Sequence, residues 1–154
     1  MNLTWIDYPA EYAETIESWM DEEAVRGTGC DAGWFDFVKC CMEEPGTIPG
    51  ENFWFKIVLA DGVPVAVIAA GEENGNLQIS EFLVDPKNRG QGIGSGVLAV
   101  LLRDTEQILG KNIRSAGAVI FPDNLPSQKA FEKAGFIYES AHPDGDAWYY
   151  RWYR

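Results

Sequence analysis

The chain holds one histidine, His142, and three cysteines, Cys30, Cys40 and Cys41, none of them in a paired CxxC spacing. A single histidine is a poor basis for a His-based metal cluster or a Ser-His-Asp relay. An odd set of unpaired thiols fits reduced cysteines in a cytoplasmic protein better than a disulfide frame or a zinc site. No run approaches the ~20 apolar residues of a membrane span. The opening MNLTWIDYPAEYAE shows neither the basic nor the apolar region of a signal peptide. Cytoplasmic location with no membrane partner is therefore expected. Basic charge is also scarce, with 12 Lys and Arg against 24 Asp and Glu and a net charge of -12. General nucleic-acid binding needs a basic footprint, and this chain lacks one.

A chain of 154 residues that is 46% hydrophobic can bury a substantial core, and one domain over residues 1–154 is expected. Its charge is uneven. Residues 1–51 carry twelve acids against two bases, a net of -10, whereas the remainder carries twelve acids against ten bases, a net of -2. Acidic surface serves solubility in many proteins, and that reading stands beside any functional one.

Leu3 and Trp5, with Tyr8, suggest an opening strand, and Pro9 stands at a helix entry. Tyr12, Ile16, Trp19 and Met20 recur at helical spacing within 11–25, ending at Gly27-Thr-Gly29. A second amphipathic helix is expected over 32–42, with Trp34, Phe35 and Val38 inward, followed by turns at Pro45-Gly46 and Pro49-Gly50. From residue 53 the period becomes that of strands: 53–60, 63–70 and 77–84, joined at Asp61-Gly62 and Asn74-Gly75. An apolar helix follows through Ile93, Val97, Val100, Leu101 and Ile108 to Gly110. A buried strand over 114–121, a helix over 124–134 closed by Gly135, and a strand pair over 136–140 and 147–153 complete the chain. The order β-α-α-β-β-β-α-β-α-β-β predicts an α/β (α+β) fold with a mixed sheet flanked by helices on both faces.

Gly90, Gly92, Gly94 and Gly96 alternate where the strand ending at Val84 passes into the long helix. Each glycine weakens a helix start by roughly 1 kcal/mol relative to alanine, so a close approach to the backbone is expected there. Unpaired amides at the positive end of a helix, bare of side chains, suit a phosphate-bearing cofactor. Two nucleotide motifs fail. Gly94-Ser-Gly96-Val-Leu-Ala99 fits GxGxxA but lies within the helical pattern and lacks the later acidic strand end. The Walker pattern GxxxxGK[ST] is absent.

Arg89-Gly-Gln-Gly92-Ile-Gly94 does fit [QR]xxGx[GA] between an apolar strand and an apolar helix. Asn124-Leu-Pro-Ser127-Gln-Lys-Ala-Phe131-Glu-Lys-Ala-Gly135-Phe136 follows, with Asn124 standing 35 residues after Arg89. The pair, in this order, resembles the GNAT superfamily of N-acetyltransferases. The resemblance implies acetyl-CoA as cosubstrate, no metal, and a pyrophosphate cradle made by the amides of Arg89, Gly90, Gln91, Gly92, Ile93, Gly94 and Ser95, Arg89 adding charge. It places the pantetheine arm beside Phe82, Leu83 and Val84, with the Val84 amide near the thioester oxygen. Asn124 would bond the arm from the other side, where a plain helix N-cap is the competing reading and both can hold at once. Ser127 and Phe131 would line the channel near the sulfur.

Many family members carry tyrosine at the Phe131 position, whose hydroxyl protonates the leaving thiolate. Here Ser127 or a water would serve, or the thiolate leaves unassisted. Glu81 stands where the family often has an acid, which makes it the candidate base for the acceptor amine, against a structural ion pair or an exposed edge position. Tyr138, Tyr149 and Tyr150 are weaker acceptor-cleft candidates than packing residues. His142 is expected in a solvated turn. Phe37, Phe53, Trp54 and Phe55, with Trp34 and Phe35, are expected in the core. The acidic first helices would wall the acceptor site, which implies a cationic small-molecule amine or a peptide amine. A non-catalytic acyl-CoA-binding module is the alternative, the acyl length is open, and exposed sheet edges allow a homodimer.

Overall fold

A computed structural model describes residues 2–7, 10–28, 52–143 and 145–154. The expected helix over 32–42, the turns at Pro45-Gly46 and Pro49-Gly50, Tyr8, Pro9, Phe37 and the three cysteines lie outside the described residues. The strands are β1 (Leu3–Asp7), β2 (Phe53–Ala60), β3 (Val63–Glu73), β4 (Asn76–Val84), β5 (Ser115–Ile120), β6 (Ile137–Ala141) and β7 (Trp148–Tyr153). The helices are α1 (Ala13–Glu17), α2 (Glu22–Thr28), α3 (Ile93–Arg103), α4 (Thr105–Leu109) and α5 (Leu125–Lys133). All seven described strands form one sheet in the order β1-β2-β3-β4-β5-β7-β6. Among the described strands only β4 and β5 pair in parallel, and the helices between them supply the crossover that a parallel pair needs. The expected mixed sheet is present.

The turn chemistry works as the sequence indicates. Asp61-Gly62 and Asn74-Gly75 all take positive φ, which matches the right-handed twist of the hairpins they close. Burial alternates helices and sheet in layers. On one face Leu77, Ile79, Ala116, Ala118 and Ile120 pack under Leu98, Leu101 and Phe131. On the other, Phe55, Ile57, Val67 and Leu83 pack under Ile16, Trp19 and Ala24 of the first helices. Phe55 is buried and Phe53 and Trp54 pack at the edges of these clusters, so the aromatic run belongs to the core. No described helix is long and apolar enough to cross a membrane.

Two expectations need correction. The single helix over 11–25 is two, separated at 18–21, because the Asp21 side chain accepts from Ala24 N–H at 2.9 Å and starts a new helix. The helix ending at Gly110 is likewise broken at Asp104, whose backbone leaves the helical region. There Thr105 Oγ1 donates back to Leu101 and Leu102 carbonyls, and Arg154 donates to Leu102 O at 3.0 Å. Within β4, Glu81 pairs with Ala69 and Ile79 with Ala70, leaving Ser80 as a bulge. The bulge inverts the alternation, so Leu77 and Ile79 share a face with Phe82, whereas Leu83 joins the opposite cluster.

Candidate functional site

The bulge coincides with the point where β4 and β5 part. Their parallel pairing runs from Asn76–Ser115 to Ile79–Ala118 and ends there. Beyond it, among the described residues, β4 from Ser80 to Val84 pairs with β3 alone. Asp85 N–H donates to Val65 O at 2.9 Å across β3. Successive residues of a strand direct their amides to opposite sides, so the Val84 N–H points away from β3, into the opening between β4 and β5.

That opening holds two cavities. A cleft of about 720 Å³ runs along the C-terminal end of β4, the turn before α3 and the flank of α5. A smaller one of about 200 Å³ sits in the fork between β4 and β5, lined by Ser80, Glu81, Val119 and Phe131 among others. Phe82, Asn124 and Ser127 line both, so the two adjoin at these three side chains.

The glycine turn forms the floor of the large cleft. Asp85 accepts from Lys87 N–H at 3.0 Å and Pro86 opens a short 3-10 turn over Pro86–Asn88, which aims the chain across the sheet end. Gly90 and Gly92 have φ of 76° and 78°, a region costly to any residue with a Cβ. A Cβ at Gly90 would meet nothing within 4 Å, so the groove above it is bare backbone. Gly94 differs: a Cβ there would touch Ala130, Phe82 and Val84 at 3.5–3.7 Å, ordinary contact distances, where α3 packs on β4 and α5. Gly96 N–H donates to Gly92 O at 3.0 Å, closing the first turn of α3. The amides of Ile93, Gly94 and Ser95 precede that bond and are the ones a helix start leaves for an anion. Ser95 Oγ also donates to Gly92 O, at 3.1 Å. The residues therefore fit a phosphate-bearing group.

The facing wall is α5. Asn124 Oδ1 accepts from Ser127 N–H at 3.3 Å, so Asn124 caps the helix while lining both cavities. Gly135, with φ of 102°, and Phe136 close the helix's C-terminal end. Phe131 is buried, edge-on to Phe82 at 6.0 Å and to Phe136 at 4.9 Å, and lines only the fork. Of the residues expected to bind the cofactor, Phe82, Leu83, Val84, Arg89, Gly90, Gly92, Ile93, Gly94, Ser95, Asn124 and Ser127 line the large cleft. Gln91 lines neither cavity, and its side-chain Nε2 donates to Lys87 O at 3.1 Å.

Arg89 lines the large cleft with its charge already engaged. Its guanidinium does not lie open to an incoming phosphate but forks onto Asp21, at 2.7 and 3.1 Å, and reaches Glu23 at 3.0 Å. Hydrogen bonding from Arg89 holds the Asp21 carboxyl below the usual carboxylate range. Burial pulls the guanidinium down, but the bonds and charges of Asp21 and Glu23 leave it above its usual value. Sequence reasoning missed Glu23 and Ala24 as cleft residues, along with Lys129 and Lys133 on α5. The i,i+4 spacing of the two lysines within the second motif was the available signal.

The acceptor candidates separate. Glu81 lies in the fork on the same face as Leu83. Tyr149 donates to Gln78 Oε1 at 2.8 Å, an arrangement open only because Gly117 between them has no side chain; a Cβ there would stand 2.8 Å from that oxygen. Tyr150 is a core residue that donates to Glu132 at 3.4 Å; burial, then the charge of Glu132, pushes its hydroxyl up. Tyr138 is exposed and meets Trp148 and Tyr150 edge-on. His142 sits in the turn between β6 and β7, its N–H donating to Ala147 O at 2.7 Å.

Comparison with known proteins places this geometry. The profile of the family described as "Acetyltransferase (GNAT) family" matches residues 5–136. A search of curated proteins finds no significant match. Among solved structures, the chain is similar to AAC(6')-Ib in complex with paromomycin and acetyl-CoA, with a TM-score of 0.78 and 19% identity over 100% of this chain and 94% of that one. It is also similar to a spermidine N-acetyltransferase from Vibrio cholerae in complex with CoA and spermine, with a TM-score of 0.74 and 13% identity over 97% and 94%. A third is the PaiA N-acetyltransferase from Thermoplasma acidophilum in complex with coenzyme A, with a TM-score of 0.70 and 13% identity over 100% of both chains.

Proposed function

The chain belongs to the acetyltransferase (GNAT) family, and from that premise we propose that it moves the acetyl group of acetyl-CoA to a cationic primary amine, by direct attack in a ternary complex. The observation that carries this reading is the adjoining pair of cavities. A long cleft over bare backbone amides meets a small fork holding a carboxylate, and Phe82, Asn124 and Ser127 stand at the junction. That is a donor channel opening onto an acceptor chamber.

In this reading the amides at the start of α3 take the pyrophosphate. The unpaired edge of β4 takes the pantetheine arm as an added strand. The Val84 N–H then faces the thioester oxygen and stabilises the negative charge that develops there when the amine adds. The attacking nitrogen must first lose a proton, and Glu81 in the fork receives it, directly or through water. Collapse re-forms the carbonyl, breaks the C–S bond and releases the CoA thiolate, and the nitrogen gives up its second proton, which balances the one the thiolate takes up. Phe131 offers no hydroxyl for that sulfur, so Ser127 is the protein group placed to protonate it. A thiol is also a good enough leaving group to depart unassisted.

A cationic acceptor follows from charge. The second of the first helices brings Glu23 to the lining of the cleft, and Asp21 and Glu23 to Arg89 beside it, within a segment of net -10. Two of the similar structures hold or act on polycationic amines by their descriptions, which accords with this choice. Thiol release from acetyl-CoA, followed with a panel of polyamines, aminoglycosides, peptide amines and acidic amino acids, tests it. Turnover confined to cationic amines is expected, and Glu81→Gln should lower kcat about a hundredfold. A preference for acidic acceptors would overturn the charge argument. Tight acetyl-CoA binding with no turnover on any amine would favour a non-catalytic binding module, the reading that Phe131 invites.

A further inference from the structure

The family motif assigns the positive charge of the cradle to Arg89, but the geometry gives that charge another use. Arg89 faces two carboxylates, so the group formed with Asp21 and Glu23 is net negative where a pyrophosphate is expected. A further cation must come from elsewhere. Across the cleft, Lys129 and Lys133 project from α5 one turn apart. The Lys133 ammonium stands 4.0 Å from where a Cβ on Gly92 would be, directly over the left-handed turn. Among the described residues no ion pair engages either lysine.

We propose that Lys133, not Arg89, is the cation that meets the pyrophosphate, and that Arg89 is a positioning residue fastening the first helices to the cradle. The proposal rests on the acetyl-CoA reading above. Asp21 is the node of the fastening. One carboxylate both starts α2, by accepting from Ala24 N–H at 2.9 Å, and grips Arg89 with two bonds, 68 residues away in sequence. Any shift of α2 is then felt at the first residue of the turn. The helix pair that would wall the acceptor thereby shares an anchor with the donor site.

The test is calorimetric titration of wild type, Lys133→Gln and Arg89→Gln with CoA and with 3′-dephospho-CoA, alongside steady-state kinetics with the best amine. Losing one charge-assisted contact corresponds to about tenfold. Lys133→Gln is thus expected to weaken both ligands about equally by that factor. Arg89→Gln should change CoA affinity less than about threefold by the same scale but raise the KM for the amine. Arg89→Lys, which keeps one charged contact, should recover part of that KM. Equal or greater loss of CoA affinity in Arg89→Gln would overturn the assignment. So would a Lys133→Gln protein that binds like wild type, or one that loses CoA but not 3′-dephospho-CoA, which would put the lysine at the 3′-phosphate. A wild-type chain that binds neither ligand would remove the acetyl-CoA reading itself, a result separable from all of these.

Discussion

The glycine turn and the first two helices meet at Arg89, yet they are held in place by different forces. The turn from Gly90 to Ser95 is fixed by backbone: two left-handed glycines, a first helical turn, and close packing at Gly94 against Phe82, Val84 and Ala130. Helices α1 and α2 have five and seven residues, too short to persist alone. They are held by Ile16, Trp19 and Ala24 against the sheet, and by the grip of Asp21 and Glu23 on Arg89. The contrast divides the labour of the site. A donor cradle that must present the same amides to every pyrophosphate is built from conformation. The wall beside it, where Glu23 and Ala24 line the cleft, is built from side chains.

Substitutions separate the two. The largest effect is expected at Gly92. Its replacement by valine puts a β-branched side chain at φ of 78° and over the amides, so CoA binding should vanish in calorimetry. The fold should lose only ~1–2 kcal/mol by denaturant titration. Gly94→Ala, by contrast, meets only ordinary contacts and should bind CoA normally. Next in size, Asn124→Ala removes the cap of α5 and should cost about 1 kcal/mol of stability while also weakening CoA. The smallest effect lies in the ion pair. Because the Asp21 carboxyl titrates lower in the folded protein, its stabilising contribution is complete above its ordinary range, about pH 3.9. It is lost as pH falls through the lower folded value. Exposed pairs contribute about 1 kcal/mol or less, so the emission of buried Trp19 should shift slightly earlier on acidification in Asp21→Asn than in wild type. A larger shift would mean that the helices depend on charge more than on packing.

The same division governs what the sequence revealed. The turn and the α5 block were legible because their requirements are local: alternate glycines between strand and helix, and asparagine before Leu-Pro-Ser at a helix start. Paired turns at Asp61-Gly62 and Asn74-Gly75 fixed the meander for the same reason. The split of the first helix was not legible, since Asp21 becomes a helix start in company with an arginine 68 residues on. Nor was the bulge at Ser80, because a strand that inverts its alternation still reads as an apolar run with a polar interruption. The place of Lys133 above Gly92 depends on the approach of α5 to α3 at Gly94 and Ala130, a tertiary fact that spacing cannot carry.

The central claim is that bare amides of the turn and the free edge of β4 bind the cofactor. Amide resonances of the ¹⁵N-labelled chain, followed during titration with CoA, report on it residue by residue. The amides of Gly90, Gly92, Ile93, Gly94 and Ser95, with those of Phe82 and Val84, should move together and saturate at one affinity. Shifts concentrated on β6 and β7, with the glycine amides unmoved, would contradict it.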